Sequence, residues 1–214
     1  MAPSSENVFL FIPNLIGYLR VVLAGLALYF MAEAPWSCLL CYGVSCLLDA
    51  LDGQAARYFK QSSRFGAVLD MVTDRCTTIC LLCFLAQAYP AWTVLFQLLI
   101  SLDISSHYIH MYSSLVAGAE SHKQISDKQN VILRAYYHNN NVLFLFCFAN
   151  EAFFMTLYML HFVTEYTGVI YALMAITFPI CAGKQIISII QLAGSSQQLA
   201  AIDIRERQKA RSLD

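Results

Sequence analysis

The sequence predicts an all-α polytopic membrane protein with six transmembrane helices and both termini in the cytosol. Three observations lead there. Charged residues make up 13% of the 214 residues and hydrophobic ones 58%, whereas a typical soluble domain carries about 25% charged residues. Six apolar stretches approach the roughly 20 helical residues that cross a bilayer core. The Lys and Arg residues outside them fall on alternate connections, as the positive-inside rule requires. Mean hydropathy is +0.57. This composition excludes a soluble globular chain and a disordered tail. The net charge of −1 leaves no basic field to hold nucleic acid.

The spans are 14–31, 36–56, 65–88, 91–111, 141–162 and 168–193. Residues 7–12 read as a short interfacial segment before Pro13, which suits a helix start because its missing N–H costs little there. Met1–Asn7 has no basic stretch and no cleavage pattern follows, so no signal peptide is expected. The second and third spans are apolar at one end only. Their other ends, Asp49–Arg57 and Gly66–Arg75, are polar. The fourth carries Asp103, His107 and His110 on one face and is the least apolar, but the topology needs it. Asn139–Asn141 before the fifth span and Gly194–Ser196 after the sixth read as local breaks. Residues 197–214 form a cytosolic tail, with 197–211 either an amphipathic helix on the membrane or disordered. The whole of 1–214 is expected to be one membrane domain.

Orientation follows from the basic residues. Turns 32–35, 89–90 and 163–167 have none. Turn 57–64 has Arg57, Lys60 and Arg64, and connection 112–140 has Lys123, Lys128 and Arg134. The tail has Arg205, Arg207, Lys209 and Arg211. Arg20, Arg75 and Lys184 lie within spans.

Six acidic residues also lie within spans: Asp49, Asp52, Asp70, Asp74, Asp103 and Glu151. Each costs roughly 2.5–3.5 kcal/mol at a helix centre, so each needs a reason to be there. Asp49 and Asp52 are three apart, and Asp70 and Asp74 four apart, which puts each pair on one helix face. A short turn joins the two helices, and both pairs lie at its end. The four carboxylates can therefore converge in a site open to the cytosol. Their mutual repulsion calls for a divalent cation, and hard oxygen donors suit Mg²⁺ or Mn²⁺. Gly53, Ala56, Gly66 and Ala67 leave room for a ligand near the metal. Arg57 offers a guanidinium suited to phosphate; Ser63 and Arg64 add a hydroxyl and a second cation. Together these describe a site that handles a diphosphate. A cation channel or transporter is the rival reading of the aspartates.

Other candidates are weaker. Cys38-Leu-Leu-Cys41 and Cys80-Leu-Leu-Cys83 have metal-ligand spacing, yet they lie in apolar helices without a turn and read as packing residues. Asp103, His107 and His110 are either part of a pocket for a second substrate or ordinary interhelical contacts. Lys184, Arg134 and Arg75 are further candidates for that pocket. Tyr136 and Tyr137 suit the membrane interface.

The run Asp49-x-x-Asp52-Gly53-x-x-Ala56-Arg57, eight residues, then Gly66-x-x-x-Asp70-x-x-x-Asp74 resembles the signature of the CDP-alcohol phosphotransferases at every defined position. Beyond it, the chain is similar to the eukaryotic branch of that family that uses myo-inositol. The segments are Pro13-Asn14-Leu15-Ile16-Gly17-Tyr18, Arg64-Phe65-Gly66, Leu69-Asp70-Met71, Thr73-Asp74-Arg75-Cys76 and Ser121-His122-Lys123. The resemblance implies that CDP-diacylglycerol and myo-inositol give phosphatidylinositol and CMP. It implies a two-metal site with Asp49, Asp52, Asp70 and Asp74 as ligands and Asp74 also as general base. It places Gly53, Arg57 and Ser63 against the CDP part of the lipid. It further implies a homodimer among the lipids of the endoplasmic reticulum membrane. Glycerol 3-phosphate or serine remain alternative acceptors, although no dense basic cluster in the spans provides for a phosphorylated one.

Overall fold

The computed structural model describes residues 7–120 and 140–212. Among them every regular element is helical: α1 (Ile12–Phe30), α2 (Pro35–Tyr58), α3 (Arg64–Ala88), α4 (Thr93–Glu120), α5 (Asn140–Phe162) and α6 (Thr167–Arg211). Short 3₁₀ turns at Val8–Leu10 and Pro90–Trp92 precede α1 and α4. Each expected span falls on one of the six helices. Lys123, Lys128, Arg134, Tyr136, Tyr137 and the segment Ser121–Lys123 lie outside the described residues.

Among the described residues, three helices are long and apolar enough to cross a membrane on length and composition alone: α1, α5 and α6. The number rises to four when α3 and the helical segment after it are taken together. The others carry the polar residues that the sequence singled out. The helices also show the inverse of a soluble pattern. Large apolar side chains point outward, such as Tyr29, Leu40, Leu98 and Ile176, while Asn14, Arg20, Asp52, Asp103, Asn150 and Lys184 are buried. Exposed apolar surface on every helix suits lipid, whose chains are as apolar as leucine.

The chain divides into two compact units, Met1–Pro90 with Leu157–Thr167, and Ala91–Thr156 with Gly168–Asp214. In the first unit α1 packs against α2 and α3. Its buried face is Pro13, Asn14, Gly17, Arg20, Ala24 and Ala27, a stripe at helical spacing in which most members are small. Small residues let helix backbones approach closely. A Cβ at Gly17 would lie 2.9 Å from Leu69 of α3. Tyr158 closes this unit: it is fully buried, and its hydroxyl donates to the carbonyl of Met31 at 2.7 Å.

The turn between α2 and α3 is firmly specified. Lys60 sits in the left-handed region, at φ 56°. Its N–H donates to Arg57, and the Gln61 N–H donates to Ala56 at 3.0 Å. This pair of bonds is a Schellman ending, which satisfies carbonyls that the helix would otherwise leave open. The Gln61 side chain then accepts from the N–H of Ile12 at 2.9 Å, tying the start of α1 to the turn. Ser63 caps α3 by accepting from the Gly66 N–H at 3.0 Å.

In the second unit Asn150 of α5 is a buried hub. Its carbonyl oxygen accepts from Gln185 of α6 at 2.9 Å and from the Cys181 thiol. Its amide donates to Glu151 at 3.2 Å. The expected break at Gly194–Ser196 does not occur, because α6 continues unbroken to Arg211. An interior glycine costs a helix only about 1 kcal/mol. Burial of Gln191, Ser195 and Ile202 on one side of α6 continues the packed stripe past it. The segment 197–211 is thus a helical extension of α6. Helix α4 likewise runs to Glu120, nine residues beyond the expected end of its span.

Candidate active site

The site is built at the ends of α2 and α3 nearest their connecting turn, and it lies within the first unit. Helical spacing puts Asp49 and Asp52 on one face of α2, and Asp70 and Asp74 on one face of α3. All four meet a single side chain from α1, Arg20. One terminal nitrogen, Nη1, donates to Asp52 at 2.6 Å and to Asp70 at 2.5 Å. The other, Nη2, pairs with Asp49 at 2.6 Å and with Asp74. Each nitrogen therefore joins one carboxylate of α2 to one of α3. Arg20 is almost wholly buried, and the Ser45 hydroxyl of α2 donates to its carbonyl at 3.2 Å.

The four acids are not equivalent. The side chain of Asp52 is 11% exposed, whereas those of Asp49, Asp70 and Asp74 are 35–46% exposed. One carboxylate oxygen from each of the latter three lies within 4.8 Å of the others. A hard cation with oxygen ligands at about 2.1 Å can be shared by oxygens at that separation. Four carboxylates against one guanidinium leave an excess of negative charge, which is the chemistry a divalent cation requires. The residues fit such an ion.

The surrounding residues divide into two groups. Gly53 lies one turn beyond Asp49, and a Cβ there would meet only the Arg57 guanidinium, at 3.7 Å. Space is kept at this position, with an exposed cation beside it. Gly66 differs. A Cβ there would lie 2.6 Å from the Asn14 side-chain oxygen. Asn14 is itself buried and donates to the Val8 carbonyl at 2.6 Å. Gly66 thus makes room for α1, which corrects the expectation that it makes room for a ligand. The oxygen of Ser63 is engaged in capping α3; its hydroxyl proton can still be donated. Arg75 reaches Asp74 only at 3.6 Å.

The expectation brings together Asp49, Asp52, Asp70, Asp74, Gly53, Arg57 and Ser63 in one region, but it left out Arg20. The signal was present. Asn14, Gly17 and Arg20 recur at a spacing of three along α1, and a lone arginine inside a span implies a buried acidic partner. Asp103, His107, His110 and Lys184 lie in the second unit. His107 Nδ1 sits 2.8 Å from the Asp103 carbonyl and 3.5 Å from its carboxylate. His110 contacts Ser195 of α6 at 3.2 Å. Lys184 is buried on the same face of α6 as Ser188, Gln191 and Ser195. None of the eight cysteines is joined in a disulfide among the described residues.

This arrangement of acids on two helices can be set against known proteins. Residues 10–194 match the CDP-alcohol phosphatidyltransferase family. The chain belongs to that family. Members transfer a phosphatidyl group from a CDP-alcohol. Curated relatives agree over nearly full length. A Schizosaccharomyces pombe protein named CDP-diacylglycerol–inositol 3-phosphatidyltransferase is 49% identical, over 97% of this chain and 96% of its own. Proteins of the same name from Rattus norvegicus and Homo sapiens are 48% and 46% identical, each over 95% of this chain and 98% of their own. No solved structure matches the chain. For a phosphatidyltransferase the acidic cluster has an evident use, since the group to be moved and the group that leaves both carry phosphate.

Proposed function

We propose that the chain transfers the phosphatidyl group of CDP-diacylglycerol to myo-inositol, releasing phosphatidylinositol and CMP. The observation that carries this reading is the meeting of Asp49, Asp52, Asp70 and Asp74 in one cluster, in a chain whose full-length relatives are named for that reaction. The same four residues would hold Mg²⁺ or Mn²⁺ at two positions. Bound there, the cations polarise the phosphoryl oxygens and neutralise charge on the departing CMP.

Asp74 is the general base. Its carboxylate takes the proton of the inositol hydroxyl as that oxygen bonds to the phosphorus bearing diacylglycerol. The bond from this phosphorus to the CMP oxygen breaks, and the electron pair leaves with CMP. Gly53 lets the CDP moiety approach α2, and Arg57 and Ser63 hold its phosphates. Inositol is neutral and rich in hydroxyls, so its pocket needs fixed donors and acceptors; Asp103, His107, Lys184 and Arg134 are the candidates. In this reading 1–214 is one domain that crosses the endoplasmic reticulum membrane six times. Both termini and the metal site face the cytosol, and the active form is a homodimer. That placement serves water-borne inositol and lipid-anchored CDP-diacylglycerol at once.

The test is a panel of alcohols supplied to purified protein with CDP-diacylglycerol and Mg²⁺ or Mn²⁺. CMP release with inositol, and none with glycerol 3-phosphate or serine, is expected. Release with either of those instead would refute the choice of acceptor.

A further inference from the structure

The guanidinium of Arg20 occupies the place where the reading above puts metal, and no role in the reaction has been given to it. Its burial is close to complete, which for an arginine is costly unless every charge is met. The terminal nitrogens bond four separate carboxylates. Yet its Nε–H is buried without a hydrogen-bond partner among the described residues. A planar fork normally places all its donors when it can. Here the side chain is held by its terminal nitrogens, and one donor is left unsatisfied as the consequence.

We infer that Arg20 is a built-in counter-cation that holds the four aspartates together when no divalent cation is bound and competes with such cations for the same carboxylates. It rests on the reading of the four aspartates as a cation site. Without any cation the four carboxylates on two helices would repel and drive α2 and α3 apart. Arg20 supplies one positive charge on a helix that packs against both. An arriving divalent cation needs carboxylates that Arg20 already engages and meets a positive charge a few ångströms away, which opposes binding. Arg20 therefore stabilises the cluster when no cation is bound and weakens metal affinity, so that occupancy follows the free cation concentration. It is a positioning residue, acting through the carboxylates.

The test compares wild type, Arg20→Gln and Arg20→Lys, each purified as the full chain in detergent. Mn²⁺ binding is measured by electron paramagnetic resonance, and thermal unfolding with chelator or with Mn²⁺. Arg20→Gln should bind Mn²⁺ at least about tenfold more tightly than wild type. It should unfold at lower temperature in chelator and gain more from Mn²⁺ than wild type does. Arg20→Lys keeps the charge without the fork, so its affinity should fall between the two. Equal or weaker Mn²⁺ binding by both variants would overturn the inference, because a merely structural arginine would give that result. If Arg20→Gln does not fold in chelator, Arg20→Lys alone decides: affinity at or below that of wild type overturns the inference. Wild type that binds no Mn²⁺ would instead overturn the cation reading, and this inference with it.

Discussion

At the scale of residues, two glycines of one motif do different work. Gly66 faces Asn14 at a distance no Cβ tolerates, while Gly53 faces only a flexible guanidinium. Gly66→Ala should therefore destabilise the fold by about 1–3 kcal/mol, the usual cost of overpacking, seen as a lower unfolding temperature in detergent. Gly53→Ala should leave that temperature unchanged and raise the KM for CDP-diacylglycerol. A raised KM with an unchanged unfolding temperature in Gly66→Ala as well would mean that both glycines serve the ligand. Asp74→Asn should lower turnover by about 10²–10⁴-fold, the usual worth of a positioned base, while CDP-diacylglycerol still binds in equilibrium measurements with metal. Near-normal turnover would remove Asp74 from the base role. The four aspartates were legible because an acid inside a span must be justified by a partner or a function. Arg20 carried a weaker signal, because a basic residue in a span can also be explained by snorkelling. Only three-dimensional contact shows that its carboxylate partners come from two other helices.

At the scale of elements, the connection between α2 and α3 sets how the two aspartate pairs meet. Its Schellman ending forces Lys60 into a conformation that costs an L-residue roughly 1–2 kcal/mol. Lys60→Gly should relieve part of this and stabilise the protein by about 0.5–1 kcal/mol, measured as a higher unfolding temperature. A lower one would mean that the lysine side chain contributes more than its backbone costs. Helices α4 and α6 carry polar stripes where lipid-facing helices would be apolar: Asp103, Ser106 and Ser113 on one, Lys184, Ser188, Gln191 and Ser195 on the other. If these hold the polyol, Asp103→Asn or His107→Gln should raise the KM for inositol more than that for CDP-diacylglycerol. An equal loss in both, with lower stability, would mark them as packing contacts. The start of α1 near Pro13 was readable from proline alone. The length of α6 was not, because Gly194 and two serines imitate a break. The hydroxyl of Ser196 bonds back to the Leu192 carbonyl at 2.8 Å, a way for serine to remain inside a helix.

At the scale of the whole molecule, the inverted distribution of polarity carries most of the argument. Hydropathy by itself finds three or four crossings, whereas the sequence reading finds six. The difference lies in α2, α3 and α4, whose polar residues lower their mean hydropathy and include the proposed metal and acceptor residues. A membrane enzyme that joins a soluble alcohol to a lipid must place charge inside its spans, so its most informative helices resemble spans least. A cation pathway offers a poorer account of the same residues, since the guanidinium of Arg20 stands among the four carboxylates. The orientation expected from the basic residues rests on position alone, and three of them, Lys123, Lys128 and Arg134, lie outside the described residues. The central claim, that one metal-loaded aspartate cluster joins inositol to a phosphatidyl group, has a direct test. Purified protein is given tritiated inositol, CDP-diacylglycerol and Mn²⁺, and label is counted in the lipid extract. Label should enter lipid in proportion to CMP released, stop with chelator and be absent in Asp70→Ala. Incorporation that survives Asp70→Ala, or CMP release without labelled lipid, would contradict the account.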